Sequence, residues 1–320
     1  IEAAQDVPMV ICPRLPYSPS KEERKTHRIT HWPFRSWCPE CVRGKSRESP
    51  HKFKTKAKSE PVVSPVISFD YMFLDGKSPT LVYRDKMSRT VFAHAVTQKG
   101  VGDGWILEKI VDDLDSLGYG RIVVKSDQEH AIKDLQKEVR QKRWDELQLL
   151  MGTIKERRGT GTEVDLCSGE TVLENSPAGQ SESNGFIERA IQELEGHVRT
   201  VKAATEKLIG AEIPRGHCLL AWMIEWCCTI INRCSKGEDG RTPMQRIRGR
   251  ESHRTVCQFG ESVLWKPLKT AANKKAKDEP RYEEGFWLGI VERTEKAIIG
   301  TSRGVVRCRE VRRRPESEHG

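Results

Sequence analysis

The sequence predicts an α/β domain built on a mixed sheet, with a small His/Cys segment before it and a small β unit after it. Three observations carry this expectation. Strand-like runs follow one another from residue 66 (VISFDYMFL, SPTLVYRD, TVFAHAVTQ), then helix-like and strand-like runs alternate to about 235. A compact cluster, THRITHWPFRSWCPECVRGK, precedes them. Short strand-like pieces with turn residues between them follow from about 257.

Taken in order, residues 1–26 are Pro-rich and then charged, and read as a linker. Residues 27–51 form the His/Cys segment, and a basic Ser/Pro-containing connector leads to the domain expected over 64–235. VISFDYMFL is apolar on both faces, as a central strand covered on two sides should be, with Asp70 in its middle. GDGWILEKIVDDLDSLG places Ile106, Ile110, Leu114 and Leu117 on one helical face. RIVVKSD reads as a strand ending at Asp127, and HAIKDLQKEVRQKRWDELQLLM as a helix.

The segment 152–170 is rich in Gly and charge without a period, and is expected to be an inserted loop. TVLENSP is a short strand and PAGQSESNG a loop. In FIERAIQELEGHVRTVKAATEKLIG, Ile187, Ile191, Leu194, Val198, Val201 and Leu208 form the stripe of a long amphipathic helix. A second helix, over about 217–233, is apolar nearly all round and should be buried. GEDGRTP breaks the chain and opens a connector over 236–256. SVLWKPL, GFWLGIV, AIIGTS and GVVRCREV then read as a small basic β-barrel within 257–315.

Lys and Arg number 55 against 46 Asp and Glu, a net charge of +9, which favours a polyanionic partner, nucleic acid above all, over a merely solvated surface. The ten cysteines are irregularly spaced and read as reduced thiols inside a cell. No apolar run is long enough to span a membrane, so none is expected. The chain starts at Ile1 and reads as a piece of a longer product.

Asp70 needs a cation, because an unpaired carboxylate in a covered strand is costly. Asp70 lies within the first strand and Asp127 ends the fourth; if those strands pair, both carboxylates converge on one site for hard divalent ions of the Mg²⁺ kind. The alternatives are a Lys or Arg partner, or an Asp70 less covered than the apolar pattern implies. His27, His31, Cys38 and Cys41 form H-x₃-H-x₆-C-x₂-C, a donor set suited to zinc. A metal-free remnant, or a site that recruits His51, are the alternatives.

ISFD, VKSD and NSPAGQSESNGFIERA together resemble the retroviral and retrotransposon integrase core, an RNase H-like domain with an Asp-Asp-Glu triad. The resemblance implies an RNase H-like mixed five-stranded sheet with flanking helices, and the triad Asp70, Asp127 and Glu188. The family's Glu stands in a motif like PQSNGxxER, here SESNGFIER. Glu163 lies nearer the family's usual separation from the second aspartate, but it falls in the Gly-rich insertion. Glu188 opens a well-formed helix, which can hold a ligand rigidly. Gln180, Ser183 and Asn184, in a mobile loop before that helix, and Arg189 beside the Glu are the implied DNA contacts. Gln192 and Glu195 depart from the Lys that family members often carry further along the same helix.

GRTPMQRIRGR followed by FGESVLWK is similar to the post-core segment of copia-type integrases. GFWLGIVERTEKAIIGTSRGVVRCREVRR is similar to their small C-terminal β domain, with Arg312, Arg313 and Arg314 as expected DNA contacts. The family's zinc domain occupies the place of the His/Cys cluster, with a longer gap between its His and Cys pairs. Covering about 27 to 315, the resemblance implies a copia-type retrotransposon integrase cut from a polyprotein. Such an enzyme catalyses 3′-end processing and strand transfer of element DNA into host DNA. Two Mg²⁺ or Mn²⁺ ions, one zinc, double-stranded DNA and further copies of the chain are the implied cofactors and partners. The implied location is the nucleus, after assembly in cytoplasmic particles. A cut-and-paste transposase of the same fold and a domesticated, non-catalytic nucleic-acid-binding module are the alternatives.

Overall fold

The computed structural model describes residues 16–45, 65–74, 76–158, 170–175, 185–252, 255–268 and 278–315. Five strands, β1 (Val66–Phe73), β2 (Pro79–Asp85), β3 (Val91–Ala95), β4 (Ile122–Ser126) and β5 (Thr171–Asn175), form one sheet in the order β3-β2-β1-β4-β5. The β1–β2 and β2–β3 pairs are antiparallel, whereas β1–β4 and β4–β5 are parallel. This is the mixed five-stranded sheet that the motifs imply, with β1 at its centre.

Strand alternation sorts the side chains onto two faces. Ile67, Phe69 and Tyr71 of β1 join Leu81, Tyr83, Ile122 and Val124 beneath α3 (Gly104–Ser116) and α4 (His130–Arg158). The expected face of α3, Ile106, Ile110, Leu114 and Leu117, is buried there. Met72, Val82, Val91 and Ala93 face the other way, toward α5 (Gly185–Ile209) and α6 (Leu219–Cys234). Ile187, Leu194, Val198 and Val201 of the expected α5 stripe lie in that second core, with Ile191 packed against it. The edge strand β3 is covered by Asn232 of α6, whose side chain exchanges two hydrogen bonds with the Val91 backbone, at 2.9 and 2.8 Å.

Some expectations about local structure are corrected. The helix α4 continues to Arg158, so 152–158 is helical, not loop. The connector contains a short helix, α7 (Pro243–Arg248), opened by a capping box between Thr242 and Gln245 with Pro243 in the first turn. Residues 159–169, including Glu163, lie outside the described residues. So do 176–184, with Gln180, Ser183 and Asn184, and the connector that holds His51.

The chain ends in a second sheet, in the order β10-β6-β7-β8-β9, made of β6 (Ser262–Trp265), β7 (Glu283–Val291), β8 (Lys296–Thr301), β9 (Gly304–Cys308) and β10 (Val311–Arg313). GVVRCREV is therefore two strands, not one. Its two edges are joined by residues 309–310 alone, a link that reaches about 11 Å. Five flat strands would set those edges about 19 Å apart. The sheet must curl, as a small barrel does.

Before the first sheet stand α1 (Lys21–Thr30) and α2 (Pro39–Lys45), which bring the His/Cys motif together. Among the described residues, no helix is long and apolar enough to cross a membrane, and no cysteine is in a disulfide.

Candidate functional site

Register places the acidic residues. Ser68 pairs with Lys125 in the parallel β1–β4 ladder, so two residues further on Asp70 and Asp127 stand level, one strand apart, at about 4.8 Å in the backbone. Asp70 belongs to the set of β1 side chains that faces α5, whose first turn carries Glu188. Burial, then the fields of Asp127, Glu188 and Glu129, raise the Asp70 carboxyl from 3.8 to about 6, against the pull of the Tyr71 N–H, which donates to Asp70 Oδ1 at 2.7 Å. Three elements thus point carboxylates at one end of the sheet.

α5 is held there by more than its apolar stripe. Arg84 of β2 lies over the Phe186 ring at 5.3 Å and reaches Glu193 at 3.5 Å, which ties the first turns of the helix to the sheet. Ile187 and Ala190, on either side of the exposed Glu188, are buried. The anchor is rigid while the carboxylate stays accessible.

Glu129 is a neighbour that sequence reasoning missed. Its N–H donates to Asp127 Oδ1 at 3.1 Å, closing a small turn after β4. Its carboxylate receives both hydrogen bonds of Lys99, each 2.7 Å, and the Lys99 ammonium lies 5.2 Å from the Tyr71 and Phe73 rings. The turn residues after Asp127 were readable in SDQEH; the lysine that faces them was not.

The second cluster is His27, His31, Cys38 and Cys41, all buried, with one ligand atom from each lying within 4.8 Å of all the others. Among the described residues this is the closed group of metal-ligating side chains; the acidic residues form no such closed group. Ser20 and Glu23 cap α1 reciprocally, and a left-handed turn at His31 ends it, with the His31 N–H donating to His27 O at 2.7 Å. Both rings are thereby turned toward the thiols of the C-x₂-C turn. His27 Nε2 lies 3.2 Å from Cys41 Sγ, and His31 Nδ1 lies 3.5 Å from Cys38 Sγ and 3.9 Å from Cys41 Sγ. A tetrahedral zinc with two N and two S ligands has edges of about 3.3–3.8 Å, so the quartet fits that ion. A hydrogen bond from Cys38 and the nearby Lys45 charge bring the Cys41 thiol down from 9.0 to about 7, while the Cys38 thiol is raised because it donates the shared proton. The short gap between the His and Cys pairs closes on this geometry, with His31 in the left-handed region.

The expected DNA-contact arginines differ among themselves. Arg189 is exposed, its Nε bonded to Gly185 O at 2.9 Å. Arg312 is exposed beside Glu310. Arg313 makes a two-pronged bond to Glu261, whose side chain is only 1% exposed. Arg314 reaches Glu284 at 3.3 Å. A cleft of about 800 Å³ opens between α1, α2, the last turn of α5 and the chain after β10, with Arg24, Arg28, Lys207 and Arg314 on its walls.

No family model and no curated protein matches the chain. Among solved structures it is similar to a chain of the simian T-cell lymphotropic virus intasome in complex with PP2A regulatory subunit B56 gamma, at 11% identity and a TM-score of 0.40, over 83% of this chain and 85% of that one. It is also similar to the catalytic core domain of BIV integrase, at 14% identity and a TM-score of 0.35, over 57% of this chain and 93% of that one. At such distances the chemistry has to be read from the site itself.

Proposed function

We propose that the chain is a divalent-metal-dependent DNA strand-transfer enzyme of the integrase type, from a copia-type retrotransposon. One observation supports this reading above the others: Asp70, Asp127 and Glu188, from β1, the end of β4 and the start of α5, share one electrostatic field at the end of the central sheet. Their oxygens are hard donors suited to Mg²⁺ or Mn²⁺, and a cation there offsets the charge that burial makes costly at Asp70. A pair of such ions supplies Lewis-acid polarisation of the phosphoryl group and stabilises the leaving oxygen.

The chain's own residues supply position. Asp70 stands within β1 and Asp127 directly after the paired strand β4, and Glu188 is aimed by a helix packed along its length. Both 3′-end processing and strand transfer use the same carboxylates, with no covalent bond between DNA and protein. The exposed Arg189 and Arg312, Gln180, Ser183 and Asn184 from the sequence before α5, and the flank around Arg313 and Arg314 would hold the phosphate backbone, sequence-independently. His27, His31, Cys38 and Cys41 would hold one zinc. Activity on element ends and a host target implies assembly of several copies and work in the nucleus.

The test is a strand-transfer assay on short DNA ends with Mg²⁺. Glu188→Gln should abolish product while leaving the fold and zinc content intact, and Glu163→Gln should leave product formation near the parent rate. An active Glu188→Gln protein, or an inactive Glu163→Gln one, overturns the assignment.

A further inference from the structure

The His/Cys unit is seated on the helix that carries Glu188. Two glycines permit the approach of α2 to α5. A Cβ at Gly44 would meet the Thr200 side chain and, at 2.9 Å, the Thr200 backbone nitrogen; a Cβ at Gly196 would meet Gly44 O at 3.3 Å. Around this contact Arg199 Nε donates to Gly44 O at 3.3 Å, and Lys207 pairs with Glu40 at 3.0 Å. The Trp32 ring meets the fully buried His197 ring edge-on at 5.8 Å. Neither His197 nitrogen has a partner, so this side chain serves as packing surface under the His/Cys unit. Gly44 lies one helical turn beyond Cys41, and Lys45 bonds His31 O at 2.8 Å, so the ligand residues and the seat move as one piece.

Short helices such as α1 and α2 have little core of their own, and in units of this kind metal-binding energy is folding energy. Losing the metal frees α2 and uncovers the middle of α5, from Gly196 to Thr200. That stretch lies on the same continuous helix as Glu188, two to three turns away.

We propose that Gly44, Gly196 and Thr200 are positioning residues for Glu188, so that metal at His27, His31, Cys38 and Cys41 sets the order of α5 and the divalent-ion affinity of the carboxylate site. The proposal rests on the reading of Glu188 as a metal ligand, and its test separates the two. Hydrogen exchange is followed on the whole chain before and after zinc chelation, and on Gly44→Ala, which pushes α2 off α5 without touching a ligand. Zinc content and Mn²⁺ affinity are measured alongside. Chelation should speed exchange within 185–209 on the order of tenfold, besides unfolding 20–45. Gly44→Ala should keep about one zinc, show the same loosening of α5, and bind Mn²⁺ about fivefold or more weakly. Loosening confined to 20–45, protein purified with no zinc, or a Gly44→Ala protein with parental Mn²⁺ affinity overturns the proposal. If Gly44→Ala fails to fold, chelation of the parent protein decides. If the parent binds no Mn²⁺, the functional reading fails, and the exchange pattern still decides whether the seat orders α5.

Discussion

Asp70 is held at about 6, well above its ordinary 3.8, because burial and three neighbouring carboxylates oppose its charge. A carboxyl whose folded value is raised favours the folded state where it is protonated, below the unfolded value, and that contribution is lost as pH rises from about 4 through about 6. At pH 7.5, without metal, the ionised group therefore opposes folding. Asp70→Asn should stabilise the metal-free protein there by on the order of 1–3 kcal/mol, a gain that fades toward pH 4. Urea unfolding at both pH values measures it, and an Asn protein no more stable than the parent at pH 7.5 would remove the basis for a carboxylate cluster around Asp70. The same proton competes with divalent ions, so the Mn²⁺ affinity of the parent should climb with pH through about 6 and then level off. Asp70→Asn should bind Mn²⁺ poorly at every pH.

His94 shows how three elements are locked together on the far side of the sheet. From β3 its ring bonds Asp113 of α3 at 2.7 Å and Glu225 of α6 at 3.1 Å, while Tyr83 of β2 donates to the same Asp113 at 2.7 Å. Burial works against the imidazolium, but its bonds to Asp113 and Glu225 win and raise His94 above 6.5. Burial likewise opposes the Asp113 charge, yet His94, Lys109 and Tyr83 hold it below 3.8. The raised histidine contributes fully below its unfolded value, and its contribution disappears as pH rises through the folded one. The depressed aspartate contributes above its unfolded value and loses its contribution in acid. At pH 6, His94→Gln should cost about 3–5 kcal/mol, as breaking a buried pair does. The deficit in urea unfolding should be smaller at pH 9 than at pH 6; a deficit unchanged between pH 6 and 9 would mean that His94 acts by shape alone. None of this network was legible in the sequence, because Tyr83, His94, Asp113 and Glu225 are far apart in the chain. The elements themselves were legible wherever a core imposes a period: the apolar stripes of α3 and α5, and the strand that ends at Asp127. GTIKERR carries no apolar period of its own, so it looked like a loop. The Thr242–Gln245 capping box was present in the sequence, but its proline read only as a break. Asp70, Asp127, Glu188 and the His/Cys quartet were legible as motifs; Lys99, Glu129 and the Gly44–Gly196 contact, made across long separations, were not.

The terminal β unit and the central sheet share one hydrophobic core. Trp287 of β7 packs edge-on against Trp226 of α6 at 6.0 Å, both rings buried, and Phe259, Val263 and Ile299 belong to the same continuous cluster as Leu194 and Val198 of α5. Arg233 of α6 adds a two-pronged bond to Glu292, at 2.9 and 3.1 Å. Deleting 258–320 would therefore strip the cover from α6 and could not report on DNA affinity alone. Trp287→Ala should instead lower stability by about 3–5 kcal/mol. The loss should appear in a single transition, whether followed by exchange in β1 or in β8; two separate transitions would show that the shared core does not couple them. The basic flank needs substitutions that leave this core intact, and the arginines there are not equivalent. Arg313→Ala would leave Glu261 buried without its two-pronged partner, so its effect on DNA binding would be mixed with instability. Arg312 is exposed, with its side chain 69% accessible, and its neighbours are the surface residue Glu310 and the Tyr282 hydroxyl. Arg312→Ala should leave the unfolding midpoint unchanged, weaken binding to any duplex to a similar degree, and reduce the slope of log affinity against log salt by about one. A full salt slope in that protein would assign Arg312 to solubility, and would move the search for the DNA-backbone contact to the cleft walled by Arg24, Arg28 and Lys207.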